Sequence, residues 1–268
     1  MIKKLVLGMV GLVALTTLAA CGSSKANEVK TIQDKGTLVL SVSPDYPPFE
    51  YQTIQNGKNQ VVGVDIDLAK AIAKKLDVKL KISTMSFDNV LASLSQGKSG
   101  IAISGISATA AREKSFDFSN VYYNPVNEIV VKKSDVNKYK SLSDFKGLKL
   151  AGQTGSTQET AVQNQIKGSV LVSLPAVGDE INELKGGKIS GVVLEDMIAK
   201  SYVSENPDLT IATVKIPNLK SNPGMAVALK KNSPELKKKV NEVIKSLKAS
   251  GELEQIIEKN YKASQNVK

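Results

Sequence analysis

DIDLAKAIAKKLDVKLKISTMSFDNVLASLSQGKSGIAIS, residues 65–104, decides the fold class. From Asp65 to Leu76 the apolar residues Ile66, Ala69, Ala73 and Leu76 recur at helical spacing. Val78 to Ile82 then reads as a strand. Phe87, Val90, Leu91 and Leu94 form a second helical stripe, closed by Gly97, and Ile101 to Ser104 is the next strand. Upstream, TLVLSV from Thr37 to Val42 supplies a short apolar strand. A βαβαβ series of this kind predicts a parallel sheet covered by helices.

The order then repeats. Leu148 to Ala151, Val170 to Val172 and Val192 to Leu194 read as strands, and Thr157 to Ile166, Gly178 to Leu184 and Asp196 to Ser204 as the helices between and after them. The joining stretch, Val121-Tyr122-Tyr123-Asn124-Pro125 into Glu128 to Lys132, has no helical period and reads as an extended crossover. A second extended piece, Gly224 to Leu229, follows Asn222-Pro223. After it come a helix from Ser233 to Leu247, opened by Pro234 at its first position, and a final helix from Leu253 to Asn260. Two crossings make the first lobe discontinuous: residues 36–124 with 219–268, against 125–218 for the second. The expected architecture is therefore α/β and two-lobed, each lobe a sheet flanked by helices, with two crossover hinges and a cleft at the carboxyl ends of the strands, where ligands of open α/β sheets bind.

The N-terminus carries a different signal. Lys3 and Lys4 lead into an apolar run from Leu5 to Ala20, shorter than the roughly 20 residues of a spanning helix. It ends in Leu18-Ala19-Ala20-Cys21, which resembles the lipobox of bacterial lipoproteins. Residues 1–20 are expected to be a signal peptide, Cys21 the lipidated (palmitate-bearing) first mature residue, and 21–35 a tether. Cys21 is the single cysteine of the 268 residues, so no internal disulfide is available. The expected location is the extracytoplasmic face of the cell membrane, reached through the N-terminal lipid.

Composition excludes several function classes. The chain has no His, which removes histidine-based acid–base catalysis, Ser–His nucleophiles and most zinc sites. The net charge of +10 comes almost wholly from dispersed lysine. No basic block interleaves with aromatics and no Gly-rich phosphate loop occurs, so no nucleic-acid partner is expected; nor are a cofactor, a metal or catalytic residues.

SPDYPPFEY, VVGVDIDLAKAIA, SFDNVLASL, ISGISATAAREKSFDFS, GQTGSTQET and VVLEDMIAKSY, in this order between about Gly36 and Tyr261, resemble the polar amino-acid binding proteins of ABC importers. The resemblance implies a type II periplasmic-binding-protein fold, capture of a free L-amino acid, delivery to a membrane permease, and a monomer.

Within these motifs, Thr109 reads as an N-cap that puts Arg112 at the third helical position, where the helix dipole disfavours a cation and an anion is wanted nearby. The resemblance pairs Arg112 with the ligand carboxylate, a match for the planar guanidinium fork. Ser104, Gly105 and Ser107 end the preceding strand. Gly105 is expected to let the ligand approach the backbone, and Ser107 to offer a hydroxyl or N–H to the carboxylate. Ser156 and Glu159 form a capping-box pattern at a helix start, an anion site in its own right. By resemblance Ser156 and Thr157 meet the carboxylate from the other lobe, Gln153 touches the side chain, and Tyr46 and Phe87 sandwich it. Phe87 also belongs to a core stripe. Glu195 matches the acid that takes the α-ammonium, with Asp196 as the alternative. Ser43 stands where relatives selective for basic amino acids often carry an acid, so for a basic ligand Asp45 or Glu50 would have to supply that counter-charge. The two ring faces favour a cationic side chain, and the expected ligand is arginine or lysine; glutamine is the alternative, and a cyclohexadienyl dehydratase-like enzyme is the rival from another class.

Overall fold

The structure is a computed structural model that describes residues 28–55, 57–217 and 223–265; the expected signal peptide and Cys21 lie outside them. The first part of the chain runs α1 (Glu28–Asp34), β1 (Thr37–Val42), β2 (Asp45–Tyr46), β3 (Glu50–Gln55), β4 (Lys58–Val62), α2 (Val64–Lys75), β5 (Lys79–Thr84), α3 (Phe87–Ser95), β6 (Ile101–Ala102), α4 (Ala110–Glu113) and β7 (Phe116–Phe118). After the first crossover come β8 (Asn127–Lys132), β9 (Lys149–Gln153), α5 (Thr157–Gln165), β10 (Val170–Leu174), α6 (Val177–Lys185), β11 (Gly191–Glu195), α7 (Asp196–Glu205) and β12 (Leu209–Ile211). The chain returns through β13 (Ala228–Lys230) and ends in α8 (Pro234–Ala249) and α9 (Glu252–Ser264).

Two five-stranded sheets result, ordered β5-β1-β6-β13-β7 and β10-β9-β11-β8-β12. The alternation of elements is as the sequence predicts, but neither sheet is purely parallel. β13 runs antiparallel to β6 and β7, and β8 antiparallel to β11 and β12. These are the strands that follow each crossover, and a chain arriving from the opposite lobe enters its sheet in the reverse direction. The parallel strand β1 has Leu38, Leu40 and Val42 fully buried, and α2 lays Ile66, Leu68, Ala69 and Ile72 against the same core. Burial of each such Leu, Ile or Val contributes roughly 1.5 to 3 kcal/mol.

Two features depart from the sequence reading. A small sheet β2-β3-β4 folds out of residues 45–62. Residues 28–34, expected in the tether, form α1 instead, with Ile32 buried in the first lobe's core.

The loop that places Asp45 and Tyr46 is pinned by Gly63. That residue sits at φ +131°, and a Cβ there would lie 2.1 Å from the Phe49 carbonyl oxygen. Glycine thus allows the Val64 and Asp65 N–H groups to donate to Pro48 and Phe49 carbonyls at 3.1 and 2.9 Å. The two crossovers are bonded to each other: Met225 N–H donates to Tyr123 O at 2.8 Å and Tyr122 N–H to Met225 O at 2.9 Å.

Candidate ligand-binding site

Between the two lobes, at the carboxyl ends of β1, β6, β9 and β11, lies a cavity. Tyr46, Phe87, Ser104, Gly105, Arg112, Gln153, Ser156 and Thr157 line it, together with Asp45 and Glu50. Two residues expected at the ligand, Ser107 and Glu195, are not in the wall. Gln158, the second residue of α5, is in the wall and carried no signal in the sequence. The lobes are closed on each other, with side chains of one bonded to groups of the other on several sides of the cavity.

Arg112 is placed by local rules. Thr109 caps α4, its hydroxyl accepting from the Arg112 N–H at 3.3 Å. The guanidinium then reaches across the cleft: Nη1 donates to Ser107 O at 2.9 Å within its own lobe, and Nη2 to Gly155 O at 3.0 Å in the other. Ser107 therefore orients Arg112 through its carbonyl. The guanidinium also lies over the Phe87 ring, 5.6 Å from its centre, while Phe87 packs on the cluster of Val90, Leu94 and Phe118. The ring serves core and cavity together. Burial lowers the Arg112 pKa to about 10, partly offset by Glu195, so the group stays charged at neutral pH. Opposite stands the start of α5. Ser156 Oγ accepts from Glu159 N–H at 3.0 Å, and Glu159 reaches back to the Gly155 N–H at 2.9 Å, one residue further than an ordinary capping box. The N–H groups of the first helical turn point at the cavity end of the helix without intrahelical partners.

Glu195, 1% exposed, ends β11 behind the wall, where its Oε2 accepts from the Tyr46 hydroxyl at 3.0 Å. Burial, the largest effect, pushes its carboxyl up to about 8; the Tyr46 hydroxyl works against the rise and the Asp196 charge adds to it. Asp196 faces the hinge instead, accepting from the Tyr123 hydroxyl at 3.1 Å and pairing loosely with Lys200 at 3.8 Å.

Glu50 and Asp65, 1% and 0% exposed, form a buried carboxyl pair under the cavity floor. Ser104 Oγ donates to Glu50 Oε1 at 2.8 Å, and the Gly105 N–H to Asp65 Oδ2 at 2.9 Å. Burial, then the neighbouring Asp65, drives the Glu50 carboxyl well up, and burial raises Asp65 against the pull of the Gly105 N–H. Glu50 thus holds a proton beside Asp65. Gly105, at φ +56°, leaves space that the Tyr46 ring fills, since a Cβ there would be 3.1 Å from that ring. Asp45 is engaged otherwise. Its Oδ2 accepts from the Val177 N–H at the start of α6 and from Gln153 Nε2, both at 2.9 Å, and its Oδ1 from Ser43 Oγ at 3.1 Å. It is a latch between lobes, held by the helix terminus it faces.

Two lobes on paired crossovers, closed over a cavity with one guanidinium and several buried acids, define a small-solute capture protein. The chain belongs to the bacterial extracellular solute-binding proteins, family 3, whose family model matches residues 38–263. It is 34% identical over 260 residues to the arginine-binding extracellular protein ArtP of Bacillus subtilis (strain 168), covering 96% of this chain and 97% of that one. It is 30% identical to ABC transporter arginine-binding protein 1 of Escherichia coli (strain K12), over 95% of this chain and 97% of that protein. The crystal structure of the amino acid ABC transporter substrate-binding protein AbpA from Streptococcus pneumoniae Canada MDR_19A, bound to L-arginine, superposes with a TM-score of 0.86 at 49% identity, covering 88% of this chain and 99% of that one. The fold is that of the type II periplasmic binding proteins. Among the described residues no helix is long and apolar enough to cross a membrane.

Proposed function

We propose that the protein captures a basic amino acid, L-arginine first, in the cleft between the lobes and delivers it to the permease of an ABC importer, with no catalysis of its own. The observation that carries this reading is the excess of acidic over basic side chains at the site. Arg112 is the one cationic side chain in the described wall, whereas Asp45, Glu50 and Glu195 lie in or directly behind it, backed by Asp65. In our reading the α-carboxylate bridges Arg112 and the α5 N-terminus at Ser156 and Thr157, and the α-ammonium reaches Glu195 beside Tyr46. That takes one charge from each side. The remaining acid, the proton-sharing Glu50–Asp65 pair, suits a cationic side chain and gives nothing to the neutral amide of glutamine. Tyr46 and Phe87 add ring faces worth about 0.5 to 2 kcal/mol to a cation. The arginine-binding relatives support the same choice. Arginine is expected to raise the melting temperature more than glutamine, and glutamate to give no shift. A larger shift with glutamine overturns the basic-ligand reading and makes Ser43 and Gln153 the selective residues.

The proposal includes export as a monomeric lipoprotein anchored through Cys21 after removal of residues 1–20, with lobe limits at 36–124 with 219–268 and at 125–218. Each buried CH₂ of an attached chain contributes about 0.8 kcal/mol to anchoring. Cys21→Ala is expected to move the protein from the membrane to the soluble fraction with ligand affinity unchanged, as read by fractionation and calorimetry. A variant that stays with the membrane places the anchor elsewhere.

A further inference from the structure

On the first lobe, a groove of about 310 Å³ runs between α1, the turn at residues 97–100 and the end of β13. Lys35, Lys98 and Lys230 line it, and none of the three makes an ion pair among the described residues. Neighbouring lysines differ: Lys30 is paired with Asp34 and Lys231 with Asp117. Lys230 lies across the groove, its Nζ 3.2 Å from where a Gly97 Cβ would be. Glu28 is the acid in the lining, so the groove keeps a positive excess.

The groove is at the opposite end of the sheet from the cavity. Thr37 and Val39 of β1 border it, whereas Ser43 to Tyr46 beyond the other end of β1 lead to the ligand site. Six residues of β1 at about 3.3 Å each separate the two by about 20 Å. Covalent geometry adds a second constraint. α1 begins at Glu28, and the seven links from Cys21 span at most about 25 Å. A lipid on Cys21 therefore keeps α1, and the groove beside it, within about 25 Å of the headgroups.

We propose that this groove face docks on the anionic phospholipid headgroups of the membrane that holds the anchor, with the ligand cleft and the second lobe held away from the bilayer. The inference rests on the lipidation of Cys21 proposed above. It describes a resting orientation suited to capture, from which the protein must lift and turn to deliver. Each lysine at an anionic surface is worth about fivefold in association, and screening by salt weakens it.

The test uses the full lipidated protein reconstituted on vesicles of phosphatidylglycerol with phosphatidylcholine, or of phosphatidylcholine alone, and measures acylation of each lysine by mass spectrometry. In the anionic vesicles Lys35, Lys98 and Lys230 are expected to react roughly fivefold more slowly than in the neutral ones. Lys133 and Lys167, on the second lobe, should react equally in both, and high salt should abolish the difference. Equal reactivity of the three lysines in the two vesicle types, or protection of the second lobe instead, overturns the docking face while leaving the anchor standing. Failure to associate with either vesicle removes the anchor and, with it, the proposed orientation.

Discussion

Arg112→Lys is expected to weaken L-arginine binding by several hundredfold, although the positive charge is kept. The guanidinium holds carbonyls of both lobes at once, Ser107 O at 2.9 Å and Gly155 O at 3.0 Å, and still has donors to turn toward a carboxylate at the start of α5. An ammonium is a point donor on a flexible stem and cannot reproduce that fork. Breaking a desolvated charge pair by removing a partner typically costs roughly 3 to 5 kcal/mol. The fold should survive, because Thr109 caps α4 through the Arg112 backbone, which the substitution leaves in place. Calorimetry that finds less than a tenfold loss would remove Arg112 from the carboxylate.

Glu195→Gln should have the second largest effect and a distinct pH signature. In the closed protein the carboxyl is pushed up to about 8, chiefly by burial. A raised carboxyl favours the protonated form in the fold, so this group's contribution to stability is complete below the ordinary carboxylate range and is lost as pH rises toward 8. An incoming ammonium reverses the preference and expels the proton. At pH 7 binding should therefore release about 0.9 proton, and affinity should climb by up to about tenfold per pH unit below pH 8 and level off above it. Gln matches the protonated carboxyl in shape, keeps an acceptor for the Tyr46 hydroxyl, and cannot ionise. The variant should lose roughly a hundredfold or more in affinity, together with the proton release and the pH slope. Asp196→Asn should keep most of the affinity and move the pH dependence to lower pH, because the Asp196 charge adds to the rise of the Glu195 carboxyl. Calorimetry in buffers of differing ionisation enthalpy reads the proton directly; wild-type release from Glu195→Gln would move the ammonium site off Glu195.

What was legible in the sequence was whatever depends on local pattern. The α2 and α3 stripes, the Thr109 and Ser156 caps and Pro234 at the head of α8 stand where the periodicity and cap chemistry place them. The small sheet leaves no mark in the apolar pattern of the sequence because β3 and β4 are largely exposed, with Ile54 69% accessible, and show no apolar alternation. The Asn56-Gly57 pair between them is a hairpin signal that could have found it. Sheet direction failed for a non-local reason, since the orientation of β8 and β13 is fixed by which lobe the chain arrives from. At the site, Asp45 read as a free acid, yet its partners Val177 and Gln153 belong to the other lobe and are met only on closure. Glu50 likewise could not be read as neutral without knowing that Asp65, fifteen positions on, folds beneath the same floor. Gln158 follows two residues after a cap, a position with no pattern of its own.

The position of β13 between β6 and β7 sets the order in which the protein can assemble. The second lobe takes all its strands from one continuous stretch, residues 127–211, and can close its sheet as soon as that stretch is available. The first lobe begins earlier in the chain but has a gap between β6 and β7 until residues 228–230 arrive. Folding units usually mature from the N-terminus onward as the chain emerges. Here the lobe that emerges first must finish last, waiting with the edges of β6 and β7 unpaired, and those edges are where a protease or a chaperone of the export route would find the newly translocated chain.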